Sequence, residues 1–214
     1  MAEIGKRFGP HWILSHVNLT IRPGESVALF GKNGSGKSTL LKMIATLLDP
    51  TTGQIRLLGR EARRHRIEIR NRLRILTHEK QLYDSLTVFE NLKLAAGLRG
   101  LSQGTTEITS LLEKVQLTKM KDRRISELSE GMKKRVVLAR LLLGPCTPDL
   151  ILLDEPHPTL DTEGKELLTQ LIQGWRAKKI TLLLSSHDHE LALRHVDRLL
   201  ILQDGRIHYD GAPK

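Results

Sequence analysis

Residues 31–39 read Gly-Lys-Asn-Gly-Ser-Gly-Lys-Ser-Thr, the spacing G-x-x-x-x-G-K-[ST]. Gly31, Gly34 and Gly36 let the backbone turn so that successive N–H groups, through Asn33, Ser35 and Thr39, can face a phosphate. A helix opening here adds the positive end of its dipole. Lys37 can then reach the outer phosphates of a nucleoside triphosphate, and the Ser38 hydroxyl can ligate Mg²⁺. The plain alternative is a glycine-rich turn with an incidental lysine. A strand-like run, Ser26 to Phe30, before the loop and a helix-like run, Leu40 to Leu48, after it argue against that alternative.

Asp154-Glu155-Pro156 follows the apolar run Leu150 to Leu153. Loops at the carboxyl ends of parallel strands hold ligands in open α/β sheets. An acid directly at the strand end, Asp154, can hold Mg²⁺, usually through water. Glu155 then points elsewhere and can act as general base on the attacking water. Without a phosphate loop in the chain, a simple turn would explain the triplet as well. His187 follows a second apolar run, Ile180 to Leu184, where a neutral imidazole could donate to a γ-phosphate; a solvated histidine is the default it competes with. Ser129 in Leu128-Ser129-Glu130-Gly131-Met132 is a good helix N-cap, and the same position is an anion site.

These groups need elements to position them. Trp12 to Ile21 alternates loosely, as a strand would. Arg22 to Glu25 reads as a turn, and Ser26 to Phe30 as a short buried strand. A turn cluster over residues 49–53 ends the first helix, Gln54 to Leu58 reads as a strand, and Ile75 to Thr77 as a strand returning to the core. Between Arg60 and Arg74 stand seven arginines, expected on a solvated helix face, with an anionic membrane surface or nucleic acid as alternative partners. Helical periodicity then dominates Thr87 to Leu98, Glu107 to Val115 and Ser129 to Leu143, with Thr87 and Glu90 in capping-box spacing. After it, apolar strands alternate with helices at Thr162 to Trp175 and His189 to Arg194. A hairpin is expected about Asp204-Gly205. The fold expected is α/β, with a helical insertion at residues 78–144 on a core of residues 1–77 and 145–214.

The 214 residues suffice for one or two domains with a real core. A single cysteine, Cys146, excludes an internal disulfide, suits a reducing compartment and is expected to be a buried structural thiol. No apolar run long enough to span a membrane is present, and Met1 to Phe8 lacks an apolar signal core. A net charge of +10 invites nucleic acid, anionic lipid or phosphorylated ligands, but aromatics at 3% leave few platforms for stacking single-stranded nucleic acid.

The phosphate loop, Leu128 to Met132, Asp154-Glu155-Pro156, Leu160-Asp161 and His187 stand in the order found in ABC-transporter ATPase subunits, which the chain resembles over nearly its whole length. The resemblance implies a P-loop NTPase core with a mixed, largely parallel sheet, an N-terminal antiparallel β subdomain and an inserted helical subdomain, together one ABC ATPase domain. It implies ATP and Mg²⁺ as cofactors, a second and identical ATPase subunit packed head to tail, and a membrane permease as partner. The chain would then lie peripherally on the cytoplasmic face of the inner membrane. Each ATP would lie between the phosphate loop of one subunit and the Ser129 and Gly131 of the other. Asp161 would cross the seam, and Phe8 would stack on adenine, with Trp12 as alternative.

Two departures stand out. The family signature usually reads Leu-Ser-Gly-Gly-Gln, and Glu130 and Met132 replace its first glycine and its amide. His78 takes the place of a Gln that contacts Mg²⁺ and the attacking water; Gln81 is close but out of register. With these departures the chain looks most like the ATPase of the haem exporter used in cytochrome c maturation, although drug, lipid and polysaccharide exporters share most of the pattern. A soluble ABC ATPase working on nucleic acid would explain the charge, but such proteins carry a coiled coil or a second ATPase copy, and neither is present. A small-molecule kinase would leave Ser129 and His187 without a role.

Overall fold

The computed structural model describes residues 1–77, 81–101, 104–144, 146–156, 160–186 and 196–213. Two sequence-predicted site residues, His78 and His187, and the helix expected at His189 to Arg194 lie outside them. The chain divides into two compact units, residues 1–77, 147–156 and 172–214 in the first and residues 78–146 and 157–171 in the second.

In chain order the first unit begins with β1 (Ala2–Phe8), β2 (His11–Val17), β3 (Ser26–Phe30) and α1 (Lys37–Ile44). It continues with β4 (Thr52–Gln54), β5 (Arg56–Leu57), β6 (Arg60–Glu61), α2 (Arg66–Asn71) and β7 (Leu73–Leu76). The second unit holds α3 (Val88–Gly97), α4 (Thr105–Lys114) and α5 (Glu130–Leu141). Then come β8 (Leu150–Asp154), α6 (Thr162–Ala177), within which the division falls, β9 (Thr181–Ser185), β10 (Arg198–Gln203) and β11 (Arg206–Gly211).

The main sheet of the first unit has the order β11-β10-β3-β9-β8-β7, and β10, β3, β9, β8 and β7 run parallel. Its central strands β3 and β8 are buried at every residue. That is why they read as continuous apolar runs: a parallel strand covered on both faces has no polar side to show. β11 pairs antiparallel with β10 at the edge, so the sheet is mixed. The hairpin turn places Asp204 and Gly205 both at positive φ, 47° and 71°, as the two-residue turn at this position requires. A separate antiparallel sheet, β2-β1-β4, is joined to the main sheet by the core that Ile4, Leu14 and Val17 share with Leu29 and Leu200.

The sequence and the structure part in four places. The strand expected over Gln54 to Leu58 is two pieces: β4 adds to β1, while β5 turns back on β6. The arginine-rich stretch 60–74 is not one solvated helix; only Arg66–Asn71 is helical. Its cations are largely matched in the chain, Arg60 with Glu68, Arg64 with Glu61, Arg66 with Asp49 and Arg72 with Asp149. Arg74 is buried, donating to the carbonyls of Asn71 and Leu73. Ala2–Phe8, where the residue pattern alone shows no strand, form β1 of the N-terminal antiparallel sheet that the resemblance implies. Cys146 is exposed rather than buried, because it lies in the connection before β8 and not in the strand.

In the second unit α3 starts with a full capping box: Glu90 N donates to Thr87 Oγ1 at 3.1 Å, and Thr87 N donates to Glu90 Oε2 at 2.8 Å. The preceding loop is held by buried Asn91, which accepts from Tyr83 N at 2.8 Å and donates to the carbonyls of Tyr83 and Thr87. Thr87→Ala removes the cap and is expected to cost about 1 kcal/mol, read as a lower denaturant midpoint at unchanged slope; an unshifted midpoint would contradict this.

Candidate functional site

The phosphate loop leaves the carboxyl end of β3 and enters α1. Its backbone closes through Ser35 N donating to Lys32 O at 3.1 Å, and the helix begins with Leu40 N donating to Gly36 O at 2.8 Å. The N-cap is Gly36, in the left-handed region at φ 105°, and no side chain caps the helix. The first amides of α1 are therefore left for a ligand, and the dipole favours an anion. Only glycine fits there. A Cβ on Gly36 would lie 2.7 Å from Leu14 Cδ2 and 3.1 Å from Ile13 O. The same contact sets the loop against β2.

Lys37 is buried, at 5% exposure. Its Nζ donates to the carbonyls of Gly31 at 2.8 Å and Lys32 at 3.2 Å, so its charge is folded back over the loop. Glu155 Oε1 stands 3.7 Å from the same Nζ. Glu155 also has φ +49°, a conformation that costs an L-residue about 1–2 kcal/mol. Its amide is held by β9, donating to Ser185 O at 3.2 Å and Ser185 Oγ at 3.0 Å.

Asp154, 1% exposed, ends β8 opposite Ser185 in the β8–β9 register. Ser185 Oγ donates to Asp154 Oδ1 at 2.7 Å and fixes the carboxylate's rotation. Sequence reasoning missed Ser185. The signal was there, a lone small polar residue closing the apolar strand next to the one that ends in Asp154. A carboxylate and the Ser38 hydroxyl are hard oxygen donors of the kind Mg²⁺ takes, and an oriented carboxylate is what a metal ligand needs. Among the described residues no cluster of three His, Cys, Asp or Glu side chains could cage a metal alone.

Phe8, at the end of β1, is 49% exposed with Lys6 Nζ 5.0 Å from its ring centroid; Trp12, on β2, is 50% exposed under Arg7. Both rings belong to the antiparallel hairpin whose Leu14 supports the phosphate loop. A cavity of about 680 Å³ opens at the other, amino ends of the parallel strands, by Pro23, Leu150 and Thr181. It includes none of the phosphate-loop residues, and the chemistry lies at the carboxyl ends.

The second unit gathers three more of the sequence-predicted residues. Ser129 caps α5, its Oγ accepting from Met132 N at 3.2 Å. Glu130 pairs with Lys133, 3.2 Å away, one turn along the helix. Gly131 packs against Asp161: a Cβ there would sit 2.9 Å from the Asp161 carboxyl carbon. Asp161 in turn accepts from Gly164 N at 2.9 Å and pairs with Arg135 at 3.1 Å.

Residues 14–158 match the family described as ABC transporter. The sulfate/thiosulfate import ATP-binding protein of Mesostigma viride is 35% identical over 99% of this chain, and the chain spans 61% of its length. The Nod factor export ATP-binding protein I of Burkholderia lata is 34% identical over 99% of this chain and 69% of its own. Among solved structures, the dimeric ATP-binding cassette MJ0796, in a post-hydrolysis state with ADP and Pi, superposes with a TM-score of 0.88 at 26% identity. That match covers 100% of this chain and 97% of that one. An ATP-binding subunit of an ABC transporter gives 0.86 at 30% identity, covering 99% and 88%. The order of motifs, the mixed sheet with its open helix end and these likenesses agree: the chain belongs to the ABC transporter family, as one of its ATP-binding, ATP-hydrolysing subunits.

Proposed function

We propose that this subunit closes head to tail on a second, identical copy around two ATP, and that hydrolysis reopens the pair to drive a membrane permease. The observation that carries the reading is the meeting of Lys37 and Glu155 at 3.7 Å, beside an uncapped helix end at the carboxyl edge of a parallel sheet. In the nucleotide-bound subunit the first amides of α1 and residues Gly31 to Thr39 hold the phosphates. Lys37 exchanges its two loop carbonyls for phosphate oxygens. Ser38 and Asp154 hold Mg²⁺, which neutralises charge on the phosphates when bound. Glu155 takes the proton of the attacking water; its left-handed backbone turns it away from the Asp154 direction, so the two acids do not compete.

From the second unit, Ser129 Oγ, which accepts from its own helix, keeps its hydrogen to donate to the partner's phosphate. Gly131 offers close backbone approach, and Asp161 lies at the seam. Lys133 holds the Glu130 acid along the helix, which is how this signature accommodates a carboxylate near a triphosphate. Phe8 stacks on adenine. His187 donates to the γ-phosphate and His78 contributes a polar contact at the metal side; both roles rest on the sequence alone.

The subunit sits peripherally on the cytoplasmic face of the inner membrane. In support, none of the described helices is long and apolar enough to cross a membrane. Coupling to a permease requires a different interaction with its two states. The exposed Tyr83 and Leu98 in the second unit are the surface for that contact. The named relatives work in both directions, sulfate/thiosulfate import and Nod factor export. Export, and haem export for cytochrome c maturation in particular, rests on His78, Leu82-Tyr83 and the Ser129-Glu130-Gly131-Met132 signature; a drug, lipid or polysaccharide exporter is the alternative cargo class. A nucleic-acid role is disfavoured because four arginines of residues 60–74 already face carboxylates.

Glu155→Gln is expected to retain ATP and turn over at least about tenfold slower; near-normal turnover would remove Glu155 as the base. Ser185→Ala frees the Asp154 carboxylate to rotate and is expected to raise the Mg²⁺ concentration for half-maximal turnover about tenfold or more, with a melt that is lower, by the roughly 1–3 kcal/mol of a lost buried hydrogen bond, but still cooperative. An unshifted Mg²⁺ titration would contradict that role. For the cargo, cells carrying Lys37→Ala are expected to lose haem-loaded cytochrome c, and normal cytochrome content would sink the haem reading.

A further inference from the structure

Arg135, on α5, is 4% exposed, and nothing in the roles above uses it. Burying a guanidinium is costly unless it is paired on several sides. Arg135 Nη2 stands 3.1 Å from Asp161 Oδ2, and Nη1 stands 2.8 Å from Glu163 Oε2. Nη1 also donates to the Val115 carbonyl at 3.5 Å, while Nε has no hydrogen-bond partner among the described residues, so the two carboxylates are the shortest contacts of the group. The Asp161 carboxylate, its side chain 37% exposed, is held at further points as well. Gly164 N donates to Oδ1 at 2.9 Å. A Cβ on Gly131 would lie 2.9 Å from Oδ2, and one on Gly164 would lie 2.8 Å from Oδ1. Two glycines and one buried cation thus fix a single acid against the first turn of α5, all within the second unit.

We propose that Arg135 is a positioning residue that clamps Asp161 against Gly131, so that the Ser129–Gly131 turn and Asp161 meet the partner's nucleotide as one preset surface. The inference rests on the head-to-tail reading of the dimer. Without Arg135 the Asp161 carboxylate would stand unpaired where an incoming γ-phosphate must arrive, and like charges would oppose closure. ATP binding to the subunit's own phosphate loop makes no use of the clamp.

The test is a double-mutant cycle in the Glu155→Gln background, reading the ATP-dependent dimer dissociation constant by analytical ultracentrifugation and monomer ATP affinity with a fluorescent analogue. Arg135→Ala is expected to weaken the dimer about tenfold or more while monomer affinity stays within about twofold. In an Asp161→Ala background the same substitution is expected to have little further effect, because the two act as one unit. Equal weakening with and without Asp161 would make Arg135 merely structural, and an unchanged dimer would make the clamp idle; either overturns the proposal. Should Arg135→Ala melt below the assay temperature, Arg135→Lys, which keeps the charge but not the fork, is read in the same cycle. No ATP-dependent dimer in the parent Glu155→Gln protein would sink the head-to-tail reading itself, and the clamp's role with it.

Discussion

The helix that follows the phosphate loop is left open at its amino end by a left-handed glycine, and the neighbouring strand β2 is packed so as to keep it open. The first amides of a helix must be satisfied by something, and at α1 no side chain does it. Capping with serine or aspartate would have stabilised the helix and closed the site. Instead the N-cap is a left-handed glycine pressed onto Leu14, a conformation and a contact that exclude any side chain. The antiparallel sheet is therefore part of the phosphate site: β2 braces the loop from outside. Lys37 adds a buried charge to the same spot, resting on two loop carbonyls. Donors and cation together make a site with a standing demand for a polyanion.

The acids are arranged with the same economy. Asp154 and Glu155 are neighbours in sequence, so both would crowd one site if the strand simply continued. The left-handed turn at Glu155 separates them, and β9 holds that turn through both the carbonyl and the hydroxyl of Ser185. One serine thus orients both acids, Asp154 through its side chain and Glu155 through its amide. Backbone strain of about 1–2 kcal/mol per residue at such a place persists only where the surroundings over-determine it, and here the β8–β9 ladder runs through to the Asp154–Ser185 pair.

What could be read from the sequence was local or periodic. Ser26 to Phe30 and Leu150 to Leu153 announce themselves because a doubly covered parallel strand needs an apolar side chain at every position. The Thr87–Glu90 cap is legible because its chemistry is complete within four residues, and the Asp204-Gly205 turn because two left-handed residues in a row demand those types. The pieces that were misread depend on partners far away in the chain. β4 and β5 are short because they serve different sheets, and residues 60–74 fold around carboxylates at Asp49 and Asp149 that sequence spacing does not reveal. Arg135 was passed over for a related reason. Arginine is by default a surface residue, and its burial follows only from the approach of Asp161 and Glu163. Ser185 became visible once the strand register set it opposite Asp154.

The most direct measurement of the central claim, that the open end of α1 reads phosphates, is calorimetric titration of the wild-type and Gly36→Ala proteins with ATP, ADP and AMP in the presence of Mg²⁺. The account predicts that ATP and ADP bind, that AMP binds about tenfold or more weakly because it lacks the outer phosphates, and that Gly36→Ala loses ATP while keeping a cooperative melt. AMP binding as tightly as ATP, or undiminished ATP affinity in Gly36→Ala, would contradict it.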